Sequence, residues 1–114
     1  MLRHCLPLIL ILAGCSKGAQ ADLPYIGEAR SLAAEWASVN EQASRGHLTA
    51  QYVHTMRASV REQLRTSQKA LSQPKSDYGE EIAALLKEPD SASPQQLLAH
   101  STKLKQIEDS LESA

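Results

Sequence analysis

Apolar residues beyond Pro24 recur at every third or fourth position, and no run of alternating β-branched residues breaks that rhythm. Such spacing lines one face of a 3.6-residue helix, whereas a half-buried strand needs alternation. Ser93-Pro94-Gln95-Gln96 is the clearest helix start: a serine that can cap, a proline at the first helical position and a glutamine at the third. Leu97, Leu104 and Leu111 follow at intervals of seven, with His100 and Ile107 at the alternate positions of the same seam. A chain patterned this way is expected to be all-α.

Three more helices are expected upstream. Pro24 suits the first turn of one whose stripe is Ile26, Ala29, Ala33, Trp36, Val39 and Ala43, closed by Gly46 at the C-terminal stop position. Thr49 can cap the next, which carries Val53, Met56, Val60, Leu64 and Leu71 down to about Gln73, where Pro74 ends it. The joint between them is short, so they are expected to be antiparallel neighbours. Asp77 with Glu80 three residues on reads as a capping-box-like start for a short helix, Tyr78 to Lys87, with Ile82, Leu85 and Leu86 as its apolar side. Glu88-Pro89 stops it. The expected fold is a small antiparallel helical bundle with three long helices and one short, over residues 24–114.

The N-terminus obeys a different rule. The apolar segment from Cys5 to Gly14 would cover about 15 Å as a helix, half of what a bilayer core of about 30 Å requires. Arg3 and His4 stand before it and small residues behind it, the pattern of an export signal. Leu12-Ala13-Gly14-Cys15 then resembles the lipobox of bacterial lipoprotein precursors: a leucine, two small residues and a cysteine. The residue types suit the chemistry, since a thiol is nucleophilic near neutral pH and Ala13 and Gly14 leave room for a peptidase.

The resemblance implies cleavage before Cys15, a diacylglyceryl group on its sulfur and a further acyl chain on its new amino group. Several chains matter, because one alone binds membranes only marginally. In that family an aspartate after the cysteine commonly favours inner-membrane retention; Ser16 stands here, which implies the outer membrane with the body facing the periplasm. Residues 1–14 are thus read as signal peptide, 15–23 as a lipidated polar tether and 24–114 as the domain. Ala19-Gln20-Ala21 also fits the pattern for ordinary secretory cleavage, which would release a soluble protein starting at Asp22.

Composition narrows the function classes. Cys5 leaves with the signal and Cys15 carries lipid, so no disulfide is expected to hold the domain even in an oxidising compartment. There is no Phe, aromatics are 4% and alanine supplies much of the apolar content, which favours helix but buries little area. A thin core in about 100 residues makes self-association plausible and leaves little room for a catalytic cleft. The net charge of −1, one unit more negative after loss of Arg3, argues against nucleic-acid binding.

Arg57, Arg61, Arg65 and Lys69, four residues apart, form a basic stripe beside the apolar face of the second helix. Unanswered, its three like-charged pairs cost about 0.6–1.5 kcal/mol. The expected answers are Glu62, first-helix carboxylates such as Glu28, Glu35 and Glu41, or Glu80 and Glu81; the functional alternative is contact with anionic head groups or an acidic partner. Trp36 belongs to the core stripe by its spacing, although with Tyr52 it would make a partner groove if exposed. His47, His54 and His100 form no metal spacing, Glu80 and Glu81 point about 100° apart, and no phosphate loop or nucleophile motif is present. No metal, cofactor or catalytic residue is expected.

These features predict a non-catalytic lipoprotein, held to the membrane through Cys15, whose bundle binds or scaffolds another envelope protein or itself. The alternative is a periplasmic module holding a small amphiphile between its helices.

Overall fold

A computed structural model describes residues 18–114 of the protein. After a 3-10 turn at Gly18–Asp22 come four helices: α1 Leu23–Ser44, α2 Ala50–Ala70, α3 Asp77–Leu86 and α4 Pro94–Glu112. No strand occurs among the described residues. The all-α bundle of three long helices and one short is as expected.

Local chemistry sets most boundaries. α1 ends in a Schellman arrangement: the Gly46 amide donates to the Ala43 carbonyl, the His47 amide reaches back to Gln42, and Gly46 adopts φ +70°. Thr49 and Ser93 cap α2 and α4, each hydroxyl accepting from the amide three residues on at 3.1 Å. At α3 the cap is Ser76, which accepts from Gly79, and not Asp77. Asp77 is instead the first helical residue, where its charge and that of Glu80 suit the helix N-terminus.

α2 stops at Ala70, short of the expected Gln73. Leu71 turns into an extended conformation that buries its side chain, and the Ser72 and Gln73 amides are taken by the carboxylate of Asp22 instead of by carbonyls of α2.

α1 is the spine. It packs most extensively against α4 and then α2, both antiparallel to it, while α3 lies across α2 and α4. Of the expected stripe, Ile26, Ala29, Ala33, Trp36 and Val39 are buried and Ala43 is half-buried, and the buried face also takes in Leu32, Ala37 and Asn40. Opposite stand Val60 and Leu64 of α2, Tyr78, Ile82 and Leu85 of α3, and Leu97 and Leu104 of α4. Ile107 and Leu111 continue the α4 seam at its edge.

Gly18–Asp22, expected to belong to a polar tether over 15–23, folds onto the bundle instead. Ala19 packs against the core, Gln20 donates its side-chain amide to the Leu111 carbonyl at 2.8 Å, and Ser72 Oγ donates to the Gly18 carbonyl at 3.0 Å. Asp22 is 1% exposed. These contacts extend the folded unit back to Gly18. Leu12, Ala13, Gly14 and Cys15, which carry the lipobox resemblance, lie outside the described residues.

Candidate functional site

The basic stripe does not present four equivalent cations. Arg61 is turned inward, its side chain only 17% exposed. Its guanidinium carbon sits 4.6 Å from the centroid of the Trp36 ring, a cation–π contact, and its nitrogens donate to the Asp90 carboxylate at 2.7 Å, to the Leu86 carbonyl at 2.8 Å and to the Glu88 carbonyl. A planar fork with five donors can serve three acceptors while covering an indole; an ammonium cannot. Arg61 is thus a brace that ties α2 to the connection between α3 and α4.

Trp36 completes that brace and is not the floor of an open groove. It is 1% exposed, and its indole N–H donates to the Asp90 carbonyl at 3.1 Å. Tyr52, on the first turn of α2, is 49% exposed. Trp36 is thus buried, as its spacing predicts, and the alternative Trp36–Tyr52 groove does not form, because Arg61 and the Asp90 backbone occupy the indole.

Arg57 is held differently. Its Nε donates at 2.9 Å to Asn40 Oδ1, and Asn40 is itself fixed by donating to the Asp90 and Ala92 carbonyls at 3.0 and 2.8 Å. Asn40, buried near the C-terminal end of α1, satisfies all these groups at once. Among the described residues no carboxylate lies within ion-pair distance of Arg57. Arg65 meets Glu62 at 3.4 Å, with both side chains largely exposed, and Lys69 is exposed in the last turn of α2. Of the expected counter-charges only Glu62 pairs with the stripe; Glu41 pairs with Arg45 and Glu81 with His100.

Two shallow open hollows along α2 share His54, Arg57 and Asp90 and together make a groove: Glu62 and Arg65 border one part, and Leu48 and Val53 the other. No protein-family model, curated protein or solved structure matches this chain. What the groove does is therefore argued from its own geometry.

Two buried polar centres stand apart from it. The Asp22 carboxylate accepts from the Ser72 and Gln73 amides, from Ser72 Oγ and from the Tyr78 hydroxyl. Burial works against its charge, but these bonds outweigh it and hold the pKa below the usual carboxylate value. Burial and the same hydrogen bond push the Tyr78 hydroxyl up to about 12. At the other centre His100 bridges α3 and the α3–α4 connection, Nδ1 2.6 Å from Glu81 and Nε2 2.7 Å from Glu88. Burial disfavours the charged ring, yet the bonds and charges of Glu88 and Glu81 prevail and raise its pKa.

Those ring nitrogens face opposite sides, so the two carboxylates do not converge on one ion. Among the described residues no group of three or more His, Cys, Asp or Glu side chains is placed to hold a metal. His47 bonds Gln42 at the α1–α2 turn, and Glu80 is exposed while Glu81 faces His100.

Proposed function

We propose that this protein is a lipoprotein anchored through Cys15 to the outer membrane, whose helical bundle binds another envelope protein without catalysing a reaction. The observation that carries the reading is the folding of Gly18–Asp22 onto the bundle. Cleavage after Ala21 would remove the Gly18, Ala19 and Gln20 contacts and place a new charged amino group on Asp22, a residue withdrawn from water. Cleavage before Cys15 leaves every one of those contacts intact.

Only Ser16 and Lys17 would then separate the lipidated residue from Gly18, a span of at most about 11 Å. The bundle end built from Gly18, Ser72 and Leu111 sits against the membrane, and the turn at Gly46 and the connection at Asp90 lie at the far end. No helix among the described residues is long and apolar enough to cross a membrane. Binding of an amphiphile is less well supported: the apolar grooves along α1, one at Pro24 and Tyr25 and the other at Ala37 and Leu98, are open to solvent.

Affinity capture with the acylated protein from detergent-solubilised envelopes tests the binding role. A specific envelope protein, or a second copy of this chain, recovered in stoichiometric amount is expected. An empty capture together with a monomer in solution contradicts it.

A further inference from the structure

We infer that the groove between α2 and Asp90 is the partner-binding surface, and that it takes an acidic protein segment through Arg57 and Arg65. The inference rests on the protein-binding reading above and names the chemistry of the partner. Three observations carry it.

Arg57 is pre-oriented, and among the described residues no carboxylate pairs with it. Asn40 grips its Nε, and two backbone carbonyls of the α3–α4 connection fix Asn40 in turn. The guanidinium is thus held from its inner edge, which leaves the paired Nη groups for an incoming carboxylate, the bidentate geometry for which arginine is suited. Arg61, which serves the fold, has a hydrogen bond on each of its three nitrogens. Arg57 does not.

Arg65 lies eight residues further along α2, about 12 Å away and on the same groove wall. Its only ion-pair partner among the described residues is Glu62 at 3.4 Å, a loose exposed contact that an incoming carboxylate can displace at little cost. Leu48 and Val53 stand at one end of the groove and Arg57 and Arg65 at the other, and the two carboxylates on its walls, Asp90 and Glu62, are already paired with Arg61 and Arg65, so that Arg57 supplies the unanswered charge. A segment carrying carboxylates roughly 12 Å apart, with an apolar residue at one end, complements it.

Position decides between a protein and the anchoring membrane. Asp22 pins the lipid-proximal end of the bundle at Ser72, and Arg57 lies fifteen residues earlier in α2, roughly 20 Å along the axis. Arg57 is thus in the membrane-distal half, out of reach of head groups when the bundle stands on its short tether, whereas Arg65, seven residues before Ser72, stands about 10 Å from that end; head groups that meet Arg65 do not span to Arg57. Lys69 and Lys75 lie nearer the membrane end and are not part of this groove.

The test uses the acylated mature protein in uncharged detergent micelles, titrated with an acetylated decaglutamate peptide and followed by NMR of the arginine Nε–H groups. Arg57 and Arg65 are expected to shift together, and Arg57→Gln or Arg65→Gln to weaken binding about three- to tenfold. Arg57→Lys should weaken it too, because the fork is lost although the charge stays, and this variant serves should Arg57→Gln unfold. Equal losses on Lys69→Gln or Lys103→Gln, or the same shifts on adding phosphatidylglycerol vesicles at equal anion concentration, overturn the inference. An envelope partner captured equally by Arg57→Gln and wild-type protein removes the groove but leaves the binding role standing; capture of nothing by either removes the role itself.

Discussion

Tyr78 donates its hydroxyl to the Asp22 carboxylate at 2.6 Å, joining the start of α1 to the first turn of α3 across 56 positions of sequence. Asp22 stands where a cap for α1 would be, yet it makes no capping bond there. It spends its lone pairs on the chain that leaves α2. The N-terminal turn, the end of α2 and the start of α3 are therefore one structural unit, and its loss should be felt by all three.

Asp22→Ala is expected to destabilise the bundle by about 2–4 kcal/mol, since it strips a partner from two backbone amides and two hydroxyls in a buried setting. Tyr78→Phe removes one of those bonds and should cost about 1–2 kcal/mol. Denaturant melts of the three proteins measure both. Because the Asp22 pKa is lowered by folding, its contribution is present above the ordinary value of 3.8 and is lost as pH falls through the folded-state value. The gap between wild type and Asp22→Asn should accordingly narrow in acid.

His100 has the opposite sign. Its pKa is raised by folding, so its contribution is complete below the ordinary 6.5 and disappears as pH climbs through the folded-state value. The reason is visible in the geometry: the charged ring donates to Glu81 and Glu88 at once, whereas the neutral ring has one N–H and must turn a lone pair toward the other carboxylate. Stability of wild type relative to His100→Gln, followed from pH 5.5 to about 9, is expected to fall steadily over the interval above 6.5. A constant difference would show that the bridge carries no proton-linked stability.

Arg61→Ala should expose the single tryptophan and release the α3–α4 connection, with a red-shifted Trp36 emission and a loss of about 2–4 kcal/mol. Arg61→Lys is expected to recover little of it, because a point charge cannot reach Asp90 and the two carbonyls together. Full recovery with lysine would mean that charge alone, and not the fork, holds the connection.

Gly79 is the one glycine whose replacement should disrupt a helix start. A Cβ there would run into the carbonyl oxygen of Pro74, backbone that cannot move aside as a side-chain tip can. Gly79→Ala is expected to cost about 1–3 kcal/mol, reversing the usual gain from alanine in a helix. Calorimetry or a denaturant melt reads the sign directly.

These features divide by range. Caps at Thr49 and Ser93 and the stop at Gly46 were legible because donor and acceptor lie within a few residues, and the apolar stripes because they repeat with the helix. The early end of α2 was not, since its cause is Asp22, 50 positions away, reading as one more polar residue of a tether. The basic stripe showed where four cations stand on α2 but not which were free. That distinction depends on Asn40 from α1 and Asp90 from a connection, and nothing in the spacing of arginines points to either. His100 likewise looked like a polar interruption of an apolar seam, and only the placement of Glu81 and Glu88 turns it into a bridge.

The role of the N-terminal turn can be tested by truncation. A chain beginning at Asp22 should be less stable than one beginning at Gly18 by about 1–3 kcal/mol, from the lost Gln20 and Gly18 hydrogen bonds and the new charge at a buried position. Equal stability would remove the structural argument for processing upstream of Gly18.

Intact-mass analysis of the protein purified from its own envelope, beside a Cys15→Ala control, addresses the central claim most directly. The account predicts a mature chain starting at Cys15 with acyl chains attached, and loss of that species in the control. A lipid-free chain starting at Asp22 would contradict it, and with it the short tether and the membrane-distal placement of Arg57.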